Sequence, residues 1–171
     1  MSVRGSAKNA RKRAFRRRRG QALAELCAAL LVIVPMFLLL LDCGSVFLGA
    51  TLNDFICRDA ARAAGSGPPS SFITGNQRTV GEKDAPMQRA EAVVKRVYLT
   101  GLPMKVRDKI DIVETVTDVP PEINGGAING EISVHTTIDI YPPFLIGHLG
   151  VAQVTLNSKH VVPITYVRPA S

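Results

Sequence analysis

Sixteen consecutive apolar residues, Leu26 to Leu41, constrain this chain more than any other feature. An α-helix rises 1.5 Å per residue, so crossing about 30 Å of hydrocarbon takes about 20 residues. Ala22–Ala24 on one side and the residues through Leu48 on the other supply the missing length, at the cost of including Glu25 and Asp42. A buried core helix could have the same composition, and charge separates the two readings. Residues 1–19 hold nine basic side chains (Arg4, Lys8, Arg11, Lys12, Arg13, Arg16, Arg17, Arg18 and Arg19) and no acid, whereas Leu26 to Leu52 holds no basic residue. Basic residues on one flank mark the cytoplasmic side of a membrane helix. The expectation is a single-pass membrane protein with its N-terminus in the cytoplasm and the rest of the chain outside.

The basic tail also explains the overall charge. The 171-residue chain carries +7, yet the 152 residues after the tail hold 12 basic and 14 acidic side chains, a net of −2. Nucleic-acid binding is not expected of a tail that adjoins an apolar helix and has Phe15 as its one aromatic residue. Attraction to anionic headgroups, at about 1 kcal/mol per charge, suits it better.

Glu25 stands out because an ionisable group at membrane depth costs about 2.5–3.5 kcal/mol on insertion scales. Five residues before it lies Gly20, which follows the run Arg16-Arg17-Arg18-Arg19. A basic leader ending in glycine, a glutamate at the fifth position after it and an apolar helix together resemble a type IV prepilin signal. The resemblance implies cleavage after Gly20 by a prepilin peptidase on the cytoplasmic face, leaving a chain that starts at Gln21. Glu25 would then lie one turn below a new α-amino group, and could pair with that of a neighbouring subunit, offsetting part of its desolvation. A glycine would let an extended backbone enter a peptidase cleft without a side chain. Two plainer readings remain beside this one. Glu25 could sit at the interface and reach the headgroups. Asp42-Cys43-Gly44-Ser45 loosely matches a secretory cleavage site, which would leave Glu25 unexplained.

The likeness extends along residues 20–65. Glu25, Pro35, the leucine-rich run ending in Asp42, and the block Arg58-Asp59-Ala60-Ala61-Arg62-Ala63-Ala64 resemble the TadE/TadG-like family, minor pseudopilins of tight-adherence (Flp-type) pilus assembly. Cys27, and Cys43-Gly44-Ser45 where the family has Gly-Arg, depart from its pattern. The resemblance implies a bacterial inner-membrane protein that acts as a structural or assembly subunit. Its partners would be the membrane, the prepilin peptidase and other pilin or pseudopilin subunits, with Glu25, Pro35 and Asp42 as its membrane and assembly residues. The alternative is an uncleaved single-pass anchor presenting an extracytoplasmic binding module.

Beyond the membrane segment (21–48), Leu48, Leu52, Phe55, Ile56, Ala60 and Ala63 or Ala64 form a stripe at helical spacing, continuing the helix over 49–64. Asp54 with Arg58 and Asp59 with Arg62 are expected ion pairs on its polar face. Pro35 removes one backbone hydrogen bond within the apolar run. Residues 65–83 read as a loop. Residues 84–171 read as an α+β domain of one further helix and a three- to four-stranded antiparallel sheet, a pilin-like plan. Asp84 is the expected N-cap of that helix, Met87, Ala90, Val94, Val97 and Tyr98 its apolar face, and Gly101 its end. Ile110, Ile112 and Val116 alternate as a strand. Glu131–Tyr141 alternates more cleanly, with Ile132, Val134, Thr136, Ile138 and Ile140 on one face. Val151–Asn157 and Val161–Val167 read as two further strands, with Pro163 marking an edge or a bulge.

Cys43 and Cys57, about 21 Å apart on one helix, are too distant to bridge; both are expected buried and unpaired, with a crosslink from either to another subunit as the alternative, and Cys27 is expected in lipid. His135, His148 and His160 lack metal-ligand spacing, and no nucleophile or phosphate-cradling motif occurs. A non-enzymatic protein with no cofactor and no small-molecule substrate is expected.

Overall fold

The computed structural model describes the backbone of residues 4–75, 77–96, 103–107 and 109–170, and side chains within these ranges from Gln21 onward. Helix α1 (Arg4–Gly65) is continuous through Pro35. Strand β1 (Gln77–Thr79), helix α2 (Ala85–Arg96), β2 (Met104–Val106), β3 (Asp111–Asp118), β4 (Gly126–Ala127), β5 (Asn129–Ile140), the single-turn α3 (Leu145–His148), β6 (Val154–Pro163) and β7 (Val167–Arg168) follow. The result is an α+β domain with an antiparallel sheet and a long apolar N-terminal helix.

The sheet is organised around β5. One side of β5 pairs with β3 over residues 129–135 and with β2 over 138–140, and the other pairs with β6 along its length. Strand β1 pairs with β3 at the opposite edge. Five strands thus occupy four lanes, because β2 and β3 lie end to end; β4 and β7 form a separate two-stranded ribbon. The alternation in β5 is realised as expected: Ile132, Val134, Thr136, Ile138 and Ile140 are all buried.

Several segments differ from the sequence reading, and the main sheet has five strands where three to four were expected. The loop 65–83 contains β1. The two strands expected over 151–167 are one, Val154–Pro163, because Asn157-Ser158-Lys159-His160 continues the alternation: Ser158 and His160 are half-buried, Asn157 and Lys159 exposed. As expected, Pro163 ends an edge strand, where no partner needs its missing N–H. Helix α2 begins at Ala85 with Asp84 at the N-cap position, as expected, its carbonyl accepting the Gln88 N–H at 3.1 Å, while its carboxylate accepts the Gly81 N–H at 2.8 Å and ties the preceding turn. Val97, Tyr98 and Gly101 lie outside the described residues.

The main core forms where α1 crosses the sheet. Cys57, Ala60, Ala61 and Ala64 of α1 pack with Ile112, Ile132 and Val134 of the sheet and with Met87 and Ala90 of α2. Alanines on α1 give it a slim surface, so the sheet and α2 can both approach closely. The buried stripe is Gly49, Asn53, Ile56, Cys57, Ala60, Ala61 and Ala64, whereas Leu48 and Phe55, expected to be inside, are exposed. Ile56, Ala60 and Ala64 lie inside as expected, so the buried face is turned by less than the ~100° of one residue. The turn follows from polar anchors that a purely apolar count overlooks.

Candidate anchoring and assembly site

Along α1 two environments meet at Asp42. From Gln21 to Leu41 every residue is exposed except half-buried Leu38, and twelve large apolar side chains between Leu23 and Leu41 face outward. Exposed apolar surface of this extent is foreign to a soluble monomer. The helix is long and apolar enough to cross a membrane. Gln21–Leu41 spans about 31 Å at 1.5 Å per residue, close to the thickness of a hydrocarbon core.

At the N-terminal end of this segment, the Gln21 amide donates a hydrogen bond to the Glu25 carboxylate at 3.1 Å. A neutral donor leaves the charge uncompensated, and no cation pairs with Glu25 among the described residues. Gly20 lies within the helical backbone of α1 rather than in an extended segment. A peptidase that needs an extended strand must therefore unwind the helix locally, and glycine is where unwinding costs least, by about 1 kcal/mol relative to alanine. The side chains of Arg16, Arg17, Arg18 and Arg19 lie outside the described residues.

Asp42 marks the other end of the exposed segment. Its carboxylate is fully buried and accepts the Phe144 N–H at 3.0 Å and the Ile146 N–H at 2.7 Å. Those amides belong to the first turn of α3 and the residue before it, whose N–H groups have no partner within the helix. Asp42 therefore joins α1 to the β5–β6 connection. From here the helix is docked: Val46 and Leu52 pack on Met104, Ile138 and Ile140, and a Cβ on Gly49 would run into the Ile140 side chain. Glu25 and Asp42 are 17 residues apart, about 25 Å along the helix, and bound the exposed apolar segment with Pro35 between them.

Further anchors hold the register of the docked half. The Asn53 amide donates to the Leu156 carbonyl at 3.2 Å, and its oxygen accepts the Thr136 hydroxyl at 2.9 Å. The Cys57 thiol reaches the Val134 carbonyl at 3.3 Å. His160 Nε2 lies 2.7 Å from the Asp54 carboxylate, so Asp54 is engaged by the sheet and not by Arg58, which stacks over Phe55 instead. This contact, with Ser158 and Arg58 adding to it, holds the Asp54 carboxyl below the usual carboxylate range. The expected pair of Asp59 and Arg62 forms at 3.7 Å. At the far end the Arg89 guanidinium donates to the carbonyls of Ala63, Ala64 and Pro68 at 2.6–3.0 Å, closing the C-terminus of α1. Cys57 is buried as expected, but Cys43 is exposed.

Sequence reasoning missed Asn53 and Glu114 as buried polar groups. Asn53 carried a signal, a polar residue four before Cys57 and seven before Ala60 in an otherwise apolar face. Glu114 did also, since it shares the inward face of β3 with Ile112 and Val116. It is 2% exposed and accepts the Ser70 N–H at 2.9 Å. It borders a cleft of about 310 Å³ lined also by Ser71, Ile73, Gln77, Arg78 and Val116. Among the described residues no three His, Cys, Asp or Glu side chains converge as a metal site would require.

Comparison of the chain with the known protein families, with curated proteins and with solved structures finds no match. The likeness to pseudopilins therefore rests on the residues of the leader and helix alone.

Proposed function

We propose that this protein is a non-enzymatic, membrane-anchored subunit of pseudopilin type, serving a Flp/Tad-like pilus or a related secretion apparatus. Its N-terminus is cytoplasmic and its α+β domain extracytoplasmic. The observation that carries this reading is the abrupt change at Asp42: an exposed apolar helix about one bilayer long ends where a folded domain takes hold of the same helix. The nine basic residues before it supply the orientation. Gly20 and Glu25, at the spacing of a prepilin leader, supply the family reading.

In such an assembly, apolar segments of neighbouring subunits would pack side by side, and Glu25 would meet the new ammonium group of a neighbour at Gln21. The domain is held to its helix by contacts spread from Asp42 to Gly65, so a force on the helix passes directly to the domain.

The test is the mature N-terminus. Co-expression with a prepilin peptidase should convert the chain to a species whose intact mass begins at Gln21, and Gly20→Ala should block that conversion. Glu25→Ala should be cleaved yet fail to join other subunits. A chain that keeps residues 1–20 in the presence of the peptidase would instead favour an uncleaved anchor carrying a binding domain.

A further inference from the structure

The connection between β5 and β6 has an unusual composition for a surface loop. From Ile140 to Ser158 the chain contains no Asp, Glu, Lys or Arg. Yet Tyr141, Phe144, Leu149 and Val151 are all exposed, Leu149 at 73%. Loops normally run through water and are polar. The position of this one accounts for the exception. Asp42 accepts the backbone N–H groups of Phe144 and Ile146, which pins the loop to α1 at the residue where the bare apolar segment ends. Phe47 and Leu48, just beyond Asp42 on the helix, are exposed as well.

We infer that residues 141–151 form a second membrane contact, an interfacial collar that lies in the headgroup and upper acyl region of the outer leaflet beside α1. The inference rests on the membrane reading of Gln21–Leu41. If that segment fills the hydrocarbon, Asp42 sits at its boundary and the attached loop cannot be elsewhere than at that level. Apolar and aromatic side chains without formal charge suit this zone, where tyrosine is enriched and apolar faces sink about 5–10 Å. The collar also answers a problem that the helix poses. A carboxylate at the edge of hydrocarbon is costly, and the loop surrounds Asp42 while offering it two N–H donors. The lipid is thus met by Phe144, Leu149 and Val151 rather than by a charge. With one transmembrane helix alone, the domain could swing about its anchor; a second contact fixes its tilt on the membrane.

The chain has no tryptophan, so single substitutions report position without background. Met36→Trp, Leu149→Trp and Ile123→Trp are made in the full-length chain and reconstituted into vesicles. Ile123 is 81% exposed and belongs to the connection that meets β7, at the Gly65 end of α1. Lipids brominated at shallow acyl positions should quench Met36→Trp and Leu149→Trp by about two-fold or more, with blue-shifted emission, as expected for a side chain several ångströms below the headgroups. Ile123→Trp should ignore these lipids and respond to aqueous iodide. If Met36→Trp is quenched by lipid but Leu149→Trp responds to iodide, the collar is wrong and the anchor stands. If Leu149→Trp is shielded from both quenchers, the loop is covered by protein, and the collar is again wrong. If Met36→Trp escapes the lipid quencher, the membrane reading itself falls and takes the collar with it.

Discussion

The two halves of α1 are one continuous helix with two kinds of surface. Between Gln21 and Leu41 its large apolar side chains point outward in every direction, and no side of the helix is reserved for a protein core. Between Asp42 and Gly65 large apolar residues become sparse, alanine and glycine take the inward positions, and polar side chains (Asp42, Asn53, Asp54) bond to named partners in the sheet and in the β5–β6 connection. The first half can slide or rotate in a uniform apolar medium without changing its contacts. The second half cannot, because each polar anchor accepts a single register. Apolar burial supplies most of the attraction between helix and sheet, but it is non-directional. Hydrogen bonds decide which residue of α1 lies over which residue of β5.

The sharpest way to break this comparison is to remove the same side chain from each half. Ile56 is fully buried in the docked half, whereas Ile33 is 60% exposed in the bare half. Ile56→Ala should destabilise the domain by about 2–5 kcal/mol through lost burial and a cavity. Ile33→Ala should leave the domain's stability unchanged. Urea unfolding of the full chain in micelles, followed through the signal of the sheet, measures both. A domain destabilised by Ile33→Ala would mean that the bare half has a protein partner in the folded state.

How far these features were legible from sequence follows the same division. The apolar run and its basic flank could be read directly, since length, composition and charge asymmetry are one-dimensional properties. The alternation of β5 could be read as well, from Ile132 to Ile140. The register of α1 could not. A count of apolar residues placed Ile56, Ala60 and Ala64 inward correctly but also Leu48 and Phe55, and the partners of Asn53, in Leu156 and Thr136 some 80–100 positions away, fix the face that is buried. The lane shared by β2 and β3 was hidden for a similar reason. It is set by where β5 changes partner, at Ile138, and nothing local in either short strand records that. The tie between Asp42 and the loop at Phe144 likewise joins residues that are about 100 positions apart. The proposed processing site, Gly20 with Glu25, rests on spacing alone.

A smaller effect is expected from the anchors themselves. Asn53→Ala removes the partner of the buried Thr136 hydroxyl and of the Leu156 carbonyl, and leaving such groups unsatisfied costs about 1–3 kcal/mol. Thr136→Val alone leaves the Asn53 oxygen without its donor. The double change Asn53→Leu with Thr136→Val removes both polar partners and should recover much of the loss, since replacing a buried pair by apolar groups of similar shape can be nearly neutral. A double-mutant cycle by urea unfolding separates the pair's coupling from the two single costs. If the anchors set the register, the recovered double variant should also loosen it. Labelling of Cys57, buried against Val134 in the native packing, would then proceed faster than in the unsubstituted chain at equal stability.

The smallest expected effect lies on the outer face of the sheet, away from α1, and it sharpens the contrast by its dependence on pH. Arg107 holds Asp139 by two hydrogen bonds of 2.9 and 3.1 Å, and the Thr155 hydroxyl donates a third at 2.6 Å. The Arg107 guanidinium, with help from Thr155 and against the opposing effect of burial, keeps the Asp139 carboxyl below the usual carboxylate range. Because the folded value lies below that of the unfolded chain, near 3.9, the unfolded state takes up protons first as the solution is acidified. The stabilisation is therefore fully present above about pH 4 and is lost as the pH falls through the depressed folded value. Arg107 is half exposed, which screens the pair and keeps its contribution modest. Asp139→Asn should lower the melting temperature slightly at neutral pH and make the acid limb of the stability curve shallower. An acid limb unchanged in Asp139→Asn would remove the Arg107 pair from the set of contacts that hold the sheet together, and leave Asp42 and Asp54, the two carboxylates of α1 that bond to the sheet and its connection, as its source.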